Sequence, residues 1–149
     1  MRLGALFLLA FTGCLSTGAS PLAAVDTTPP TILSFKPDLF SDASLPEIPV
    51  AGSLEITFSE AMDPGSLRPG IAVRNKGIDA PLNIQAPEAV KNLGDRDDAW
   101  TVKITAAAST GFEPGVSRLI LRTLLIDAQG NALEVEGDQP EELFFFLVR

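Results

Sequence analysis

The sequence has no histidine, no tyrosine and only one cysteine among its 149 residues. Histidine is the usual general base near neutral pH and the commonest ligand of transition metals, so its absence argues against both kinds of site. A single cysteine cannot close a disulfide within the chain, and an exported domain of this kind must be held together by packing. These absences favour a protein that is not an enzyme and carries no cofactor or metal.

Basic residues are also scarce. The chain has 11 lysines and arginines against 19 aspartates and glutamates, which gives a formal net charge of −8. A surface of this charge repels phosphate backbones, and no cluster of lysine and arginine offsets it. We therefore expect no nucleic acid partner.

The N-terminus has the pattern of an export signal. Arg2 gives a positive charge, the apolar run Leu3–Phe11 follows, and two small residues precede Cys14. The run is much shorter than the roughly 20 apolar residues that a membrane-spanning helix needs. We predict a lipoprotein signal peptide at residues 1–13.

Cys14 is the predicted lipidation site. The segment Phe11–Cys14 (FTGC) resembles the bacterial lipobox, whose cysteine receives a diacylglyceryl group before the leader is removed, although leucine is commoner where Phe11 stands. The alternatives are an ordinary secretory signal and an N-terminal core strand with a buried thiol. Leu15 follows the cysteine, which in envelopes that sort by this position implies the outer membrane. We expect a lipid-anchored protein of the cell envelope, with residues 14–30 as lipidated cysteine and flexible linker.

Residues 31–149 have the pattern of an all-β domain, with short alternating segments separated by glycine, proline, aspartate and asparagine. The alternation is clearest in Ser53–Ser59 and in Ala99–Thr105, where it turns Trp100 inward as a candidate core residue. We predict an immunoglobulin-like antiparallel β-sandwich of about seven strands, with one helical turn after Asp63. The predicted strands are Thr31–Lys36, Ser53–Ser59, Ile71–Asn75, Pro81–Ala86, Ala99–Thr105, Ser117–Leu125 and Leu143–Val148.

Three motifs in this order resemble a known family. They are a TPP entry within Thr27–Ile32, an ITFSEAMDP strand and turn within Leu54–Pro64, and a DAQGNAL turn at Asp127–Leu133. The chain is similar here to the bacterial Ig-like domain of S-layer proteins of the SbsA type. The resemblance implies an Ig-like fold and a spacer, scaffold or adhesion role in the envelope, without catalysis. It implies the membrane, through the lipid, and other envelope proteins as partners.

The two loop motifs have alternative interpretations. Asp63, Asp127 and Asn131, together with Asp26, carry oxygens of the kind that calcium prefers. The favoured interpretation is structural: Asp63 caps the turn, and Asp127 and Asn131 stabilise a bend through bonds to the backbone. A calcium- or glycan-binding lipoprotein is the alternative function, and the expected burial of Trp100 weakens its glycan form.

The last predicted strand contains three consecutive phenylalanines. Alternation sends Phe145 to one face and Phe144 and Phe146 to the other. Either Phe145 is exposed and marks a contact surface, or a neighbouring loop covers it. The sequence leaves both interpretations open.

Overall fold

The computed structural model describes residues 26–41, 44–89, 99–135, 137 and 139–149. The predicted signal peptide, Cys14 and most of the linker lie outside the described residues. The elements in chain order are β1 (Ile32–Lys36), β2 (Glu47–Ile48), β3 (Ser53–Phe58), α1 (Pro64–Gly70), β4 (Ile71–Asn75), β5 (Ile78–Asp79), β6 (Leu82–Ile84), β7 (Glu88–Ala89), β8 (Trp100–Ala106), β9 (Gly115–Arg122) and β10 (Glu141–Val148). Seven of these described strands are longer than two residues, in agreement with the predicted number.

The strands form two sheets of five strands each. The first has the order β1-β3-β8-β6, and its β7 also pairs with β8; the second has the order β2-β10-β9-β4-β5. All pairs are antiparallel except β2 with β10, which run parallel. One buried apolar cluster takes residues from both sheets, so the sheets pack face to face. The prediction of an all-β, Ig-like sandwich is confirmed.

The core follows the predicted alternation in the two central strands of the first sheet. Leu54, Ile56 and Phe58 of β3 are at most 1% exposed. Val102 and Ile104 of β8 lie opposite Ile56 and Leu54 in the register and are equally buried. Full burial of such side chains contributes about 1.5–3 kcal/mol each, so these strands anchor the sandwich.

An aromatic cluster joins an edge strand of the first sheet to the second sheet. The rings of Phe35 in β1 and Phe144 in β10 have centroids 4.4 Å apart, and Phe40 lies 4.9 Å from Phe35. Tilted ring pairs of this kind contribute about 0.5–1.5 kcal/mol beyond the burial of their surface. The cluster therefore holds the first strand against the opposite sheet.

The predicted core position of Trp100 is wrong. Alternation places Trp100 on the same face as Val102, but it is the first residue of β8 and pairs with Phe58, the last residue of β3. At this end of the sheet Phe58 is fully buried, whereas Trp100 stays partly exposed beside an open cleft. The periodicity gives the face of a strand but not how far along the strand the covering layer extends.

The short helix forms where the turn after Asp63 was predicted. The Asp63 carboxylate accepts a hydrogen bond from the N–H of Gly65 at 3.2 Å, as an N-cap does, and Pro64 at the helix start has the fixed φ that suits this position. Leu67 is buried and attaches the helix to the core. Within the described ranges, no helix has the length and apolar character needed to cross a membrane.

Substitutions at two isoleucines, one buried and one exposed, test how far the stability of the domain depends on core packing. We expect Ile104→Ala to lower the free energy of unfolding by about 2–5 kcal/mol, because the side chain is fully buried and its loss leaves a cavity. The matched control is Ile78→Ala, in which the side chain is 71% exposed and the expected change is within about 0.5 kcal/mol. Urea unfolding of both variants measures the difference, and equal losses would contradict the assigned core.

Candidate functional site

Two loops meet at the end of the sandwich where the chain enters β1. The N–H of Ala128 donates to the carbonyl of Ala61 at 2.9 Å, and the N–H of Asp63 donates to the carbonyl of Ile126 at 2.9 Å. The hydroxyl of Ser66, at the start of α1, donates to the carbonyl of Asp63 at 2.8 Å and accepts from the N–H of Ile126 at 3.2 Å. These bonds join the SEAMDP and DAQGN motifs into one structure.

Asp127 organises the second of these loops. Its side chain is only 1% exposed, and its Oδ1 accepts from the N–H of Gln129 at 2.8 Å and from the N–H of Asn131 at 2.7 Å. Its Oδ2 accepts from Nδ2 of Asn131 at 2.7 Å. Both oxygens of the carboxylate thus accept hydrogen bonds from residues of the same turn.

Burial by itself would raise the pKa of Asp127, because it disfavours the charged carboxylate. The hydrogen bonds from Asn131 and from the backbone N–H groups of Gln129 and Gly130 together outweigh that effect and hold the pKa of Asp127 below its ordinary value. The buried group therefore remains ionised at neutral pH and stabilises the turn as an anion.

The three carboxylates considered for calcium each engage a backbone donor. Asp63 caps the helix, Asp26 accepts from the N–H of Thr28 at 2.9 Å, and Asp127 accepts from the N–H of Gln129 in its own turn. In the part of the chain that is described, no group of three or more acidic, histidine or cysteine side chains is placed to hold a metal ion. The predicted structural roles of Asp63 and Asp127 are confirmed by these bonds. Asn131 stabilises the bend through the Asp127 carboxylate and not through a side-chain bond to the backbone of the bend.

The segment before β1 is fastened to the same end of the domain. The Nδ2 of Asn131 donates to the carbonyl of Asp26 at 3.2 Å, and the N–H of Glu134 donates to the carbonyl of Pro30 at 3.0 Å. Thr31 and Ser59 are joined twice, because the N–H of Thr31 donates to the Ser59 hydroxyl and its carbonyl accepts from the Ser59 N–H, both at 2.9 Å. The entry segment is therefore held along one wall of the loop structure.

An open cleft of about 500 Å³ lies between this segment and the two loops. Trp100 supplies an aromatic side chain, and the remaining lining is mostly polar. The lining residues are Asp26, Thr28, Pro29, Thr31, Ser59, Glu60, Ala61, Trp100 and Gln129. These residues come from four distant parts of the sequence. Three of the parts, Asp26 and the two loop motifs, are those grouped from the sequence as calcium candidates, whereas no local pattern predicts that Trp100 joins them.

A second candidate surface is the outer face of the second sheet. Phe144 and Phe146 point into the core, whereas Phe145 is 46% exposed, so the interpretation in which a loop covers Phe145 is wrong. Leu143 and Leu147 lie on the same face of β10 as Phe145, and Val116 of β9 lies opposite Leu147. Leu143 and Val116 are also exposed. We call Leu143, Phe145, Leu147 and Val116 the outer apolar patch.

Comparison with known proteins agrees with the architecture. The family model described as a bacterial Ig-like domain matches residues 26–135, most of the chain. The chain belongs to the bacterial Ig-like domain family. No curated protein and no solved structure matches it significantly.

Membership of the bacterial Ig-like family has consequences for both candidate surfaces. Domains of this family occur in bacterial surface proteins, are generally non-enzymatic and suggest a surface or structural role in protein interaction. The matched range includes both loop motifs and Trp100 but ends at Val135, before the strand that carries Phe145. The family therefore accounts for the fold, and the outer apolar patch must be interpreted from its own residues.

The Asp127 turn of this Ig-like domain gives a stability prediction. Asp127→Ala leaves three partly buried donors without their charged acceptor, and we expect a loss of about 2–4 kcal/mol in the free energy of unfolding at pH 7. Because the folded-state pKa is lowered, this contribution is complete above the unfolded value of about 3.9 and is lost as the pH falls through the folded value. Urea unfolding between pH 2 and 7 should therefore show a smaller acid-induced loss in the variant.

The control for this prediction is Asp79→Ala. Asp79 forms an exposed ion pair with Arg74, with Oδ1 2.6 Å from the guanidinium Nε, and exposed pairs contribute little to stability. If the two alanine variants destabilised the domain equally, the assigned role of Asp127 would be wrong.

Proposed function

We propose that the protein is a non-enzymatic, lipid-anchored module of the bacterial envelope that binds another envelope protein through the outer apolar patch. The observation that carries this proposal is the exposure of Phe145, together with Leu143 and Val116, on one face of a sheet. Membership of a family found in bacterial surface proteins supports the setting. The sequence around Cys14 supports the anchor.

The physical basis of the anchor is acyl-chain burial. Each buried methylene contributes about 0.8 kcal/mol, so one chain binds a membrane marginally, whereas the two or three chains of a lipobox cysteine hold it stably. The backbone between Cys14 and Asp26 spans at most about 40 Å at roughly 3.3 Å per residue. Since Asp26 is bonded to the DAQGN loop, this length is the upper limit of the distance between lipid and domain.

The outer apolar patch has the composition of a protein-binding surface. Arg118 lies directly opposite Phe145 in the strand register and on the same face, so an aromatic and a guanidinium side chain sit side by side. Aromatic residues and arginine are enriched in the centres of interfaces, where they contribute most of the binding energy. A partner that covers Phe145 with an apolar group and offers a carboxylate to Arg118 fits this arrangement.

The anchor is tested by Cys14→Ser. We expect the variant to lose acyl labelling in cells fed with an alkyne fatty acid, and to be released from washed membranes or to remain unprocessed. The wild-type chain, treated in the same way, should be labelled and should sediment with membranes. A variant that was still cleaved and still membrane-bound would contradict a lipid anchor at this residue.

The patch is tested by photo-crosslinking in intact cells. We expect a benzoylphenylalanine placed at Phe145 to give one discrete adduct with another envelope protein, because this side chain is at the centre of the proposed contact. The same group at Phe40, another half-exposed phenylalanine at 49%, is the matched control and should not give that adduct. Identical adducts at both positions, no adduct at Phe145, or an adduct with a second copy of the chain alone would contradict the proposal.

A further inference from the structure

Trp100 is the single tryptophan of a chain without tyrosine, and the fold leaves it partly exposed at the cleft. Its neighbour Ala99 is completely buried, and Phe58, its partner across the ladder, is completely buried as well. A large aromatic side chain that stays partly exposed to water beside two buried residues loses part of the free energy that full burial would contribute. This position therefore suits a surface that a ligand covers.

The polar groups around Trp100 offer both donors and acceptors. Gln129 has a side-chain amide, and Thr28 a hydroxyl, with no hydrogen-bond partner among the described residues. The Ser59 hydroxyl accepts from the N–H of Thr31 and keeps its own proton to donate. Asp26 uses Oδ1 for the N–H of Thr28, and its Oδ2 has no bond among those described.

The walls of the cleft are fixed before any ligand arrives. The position of Gln129 is set by the bond from its N–H to the buried Asp127 carboxylate at 2.8 Å. The segment containing Thr28 is held between Asn131 and Ser59 by the bonds of Asp26 and Thr31. A site whose backbone is already held in place loses less conformational entropy on binding.

We propose that this cleft binds a neutral carbohydrate. A pyranose ring has an apolar face of C–H groups, which packs on an indole ring, and a rim of hydroxyls, each of which donates and accepts. The cleft presents one aromatic side chain, three hydroxyl-bearing side chains, an amide and two carboxylates in about 500 Å³, a volume within the range of small-molecule sites. The acidic surface, with a net charge of −8, disfavours sugars that carry carboxylate or phosphate groups.

An organic cation is the competing ligand chemistry. Tryptophan beside carboxylates also attracts quaternary ammonium and basic side chains. The lining favours a sugar, because most of its polar side chains are neutral and neither carboxylate is free. Asp26 already accepts a backbone N–H, and Glu60 also has an interaction within the protein. The two chemistries differ in salt dependence, since a charged ligand is screened by salt and a neutral sugar is not.

The absence of tyrosine and of a second tryptophan makes the test direct. Emission excited near the red edge of indole absorption reports Trp100 alone. The full chain, kept in a polyoxyethylene detergent without a sugar headgroup, is titrated with N,N′-diacetylchitobiose, cellobiose and maltose, and separately with digalacturonate and tetramethylammonium. We expect a saturable emission change with at least one neutral disaccharide, unchanged between low and high salt.

Gln129→Ala should weaken that binding at least tenfold, because it removes the side-chain amide from a fixed backbone position in the cleft wall without touching the core. Gln139→Ala, an exposed glutamine outside the cleft, is the matched control and should leave the affinity unchanged. Both variants should retain the wild-type melting temperature. No saturable change with any neutral disaccharide, equal affinity in Gln129→Ala and wild type, or salt-sensitive binding of tetramethylammonium alone would overturn the proposal. Because the outer apolar patch is on the second sheet, failure here is distinct from failure of the proposed protein contact.

Discussion

The contact between the two inner sheet faces is the interaction on which the other features depend. A chain with one cysteine has no internal disulfide to hold the sheets together, so burial of side chains such as Ile56, Phe58 and Phe146 must supply the stabilisation. The ring contact of Phe35 with Phe144 extends that packing to the edge strand β1. The loops at the entry end, which line the cleft, are positioned only because the strands below them are held in this way.

One charged group, the carboxylate of Asp127, holds the loops in place above the packed sheets. The buried carboxylate of Asp127 replaces its lost water with donors from Gln129 and Asn131, and Asn131 in turn holds Asp26. Cleft residues from opposite ends of the chain are thereby fixed relative to one another through a single turn. A buried charge that is fully bonded stabilises a local conformation, whereas the same charge without its donors would destabilise it.

The sequence was informative where local periodicity and side-chain chemistry decide the structure. Alternation gave the inner faces of β3 and β8, and the Asp63-Pro64 pair gave the start of α1. Alternation missed β2, β5 and β7 because strands of two residues are too short to show a period, and each forms only where a longer strand offers its edge. It placed Trp100 wrongly because burial at the end of a strand depends on the opposite sheet. The grouping of Asp26 with the two loop motifs was part of the calcium hypothesis, but the cleft itself and the place of Trp100 in it could not be predicted, since its walls meet only after folding.

The fastening of the N-terminal segment has a mechanical consequence. A pull on the chain ahead of Asp26 is borne first by the bonds to Asn131 and Glu134, next by the Thr31–Ser59 pair, and only then by the ladder of β1 with β3. The bonds that would yield first are those that hold one wall of the cleft, while the aromatic contact of Phe35 keeps the sandwich closed. Tension on the chain ahead of Asp26 would therefore open the cleft before it unfolded the domain.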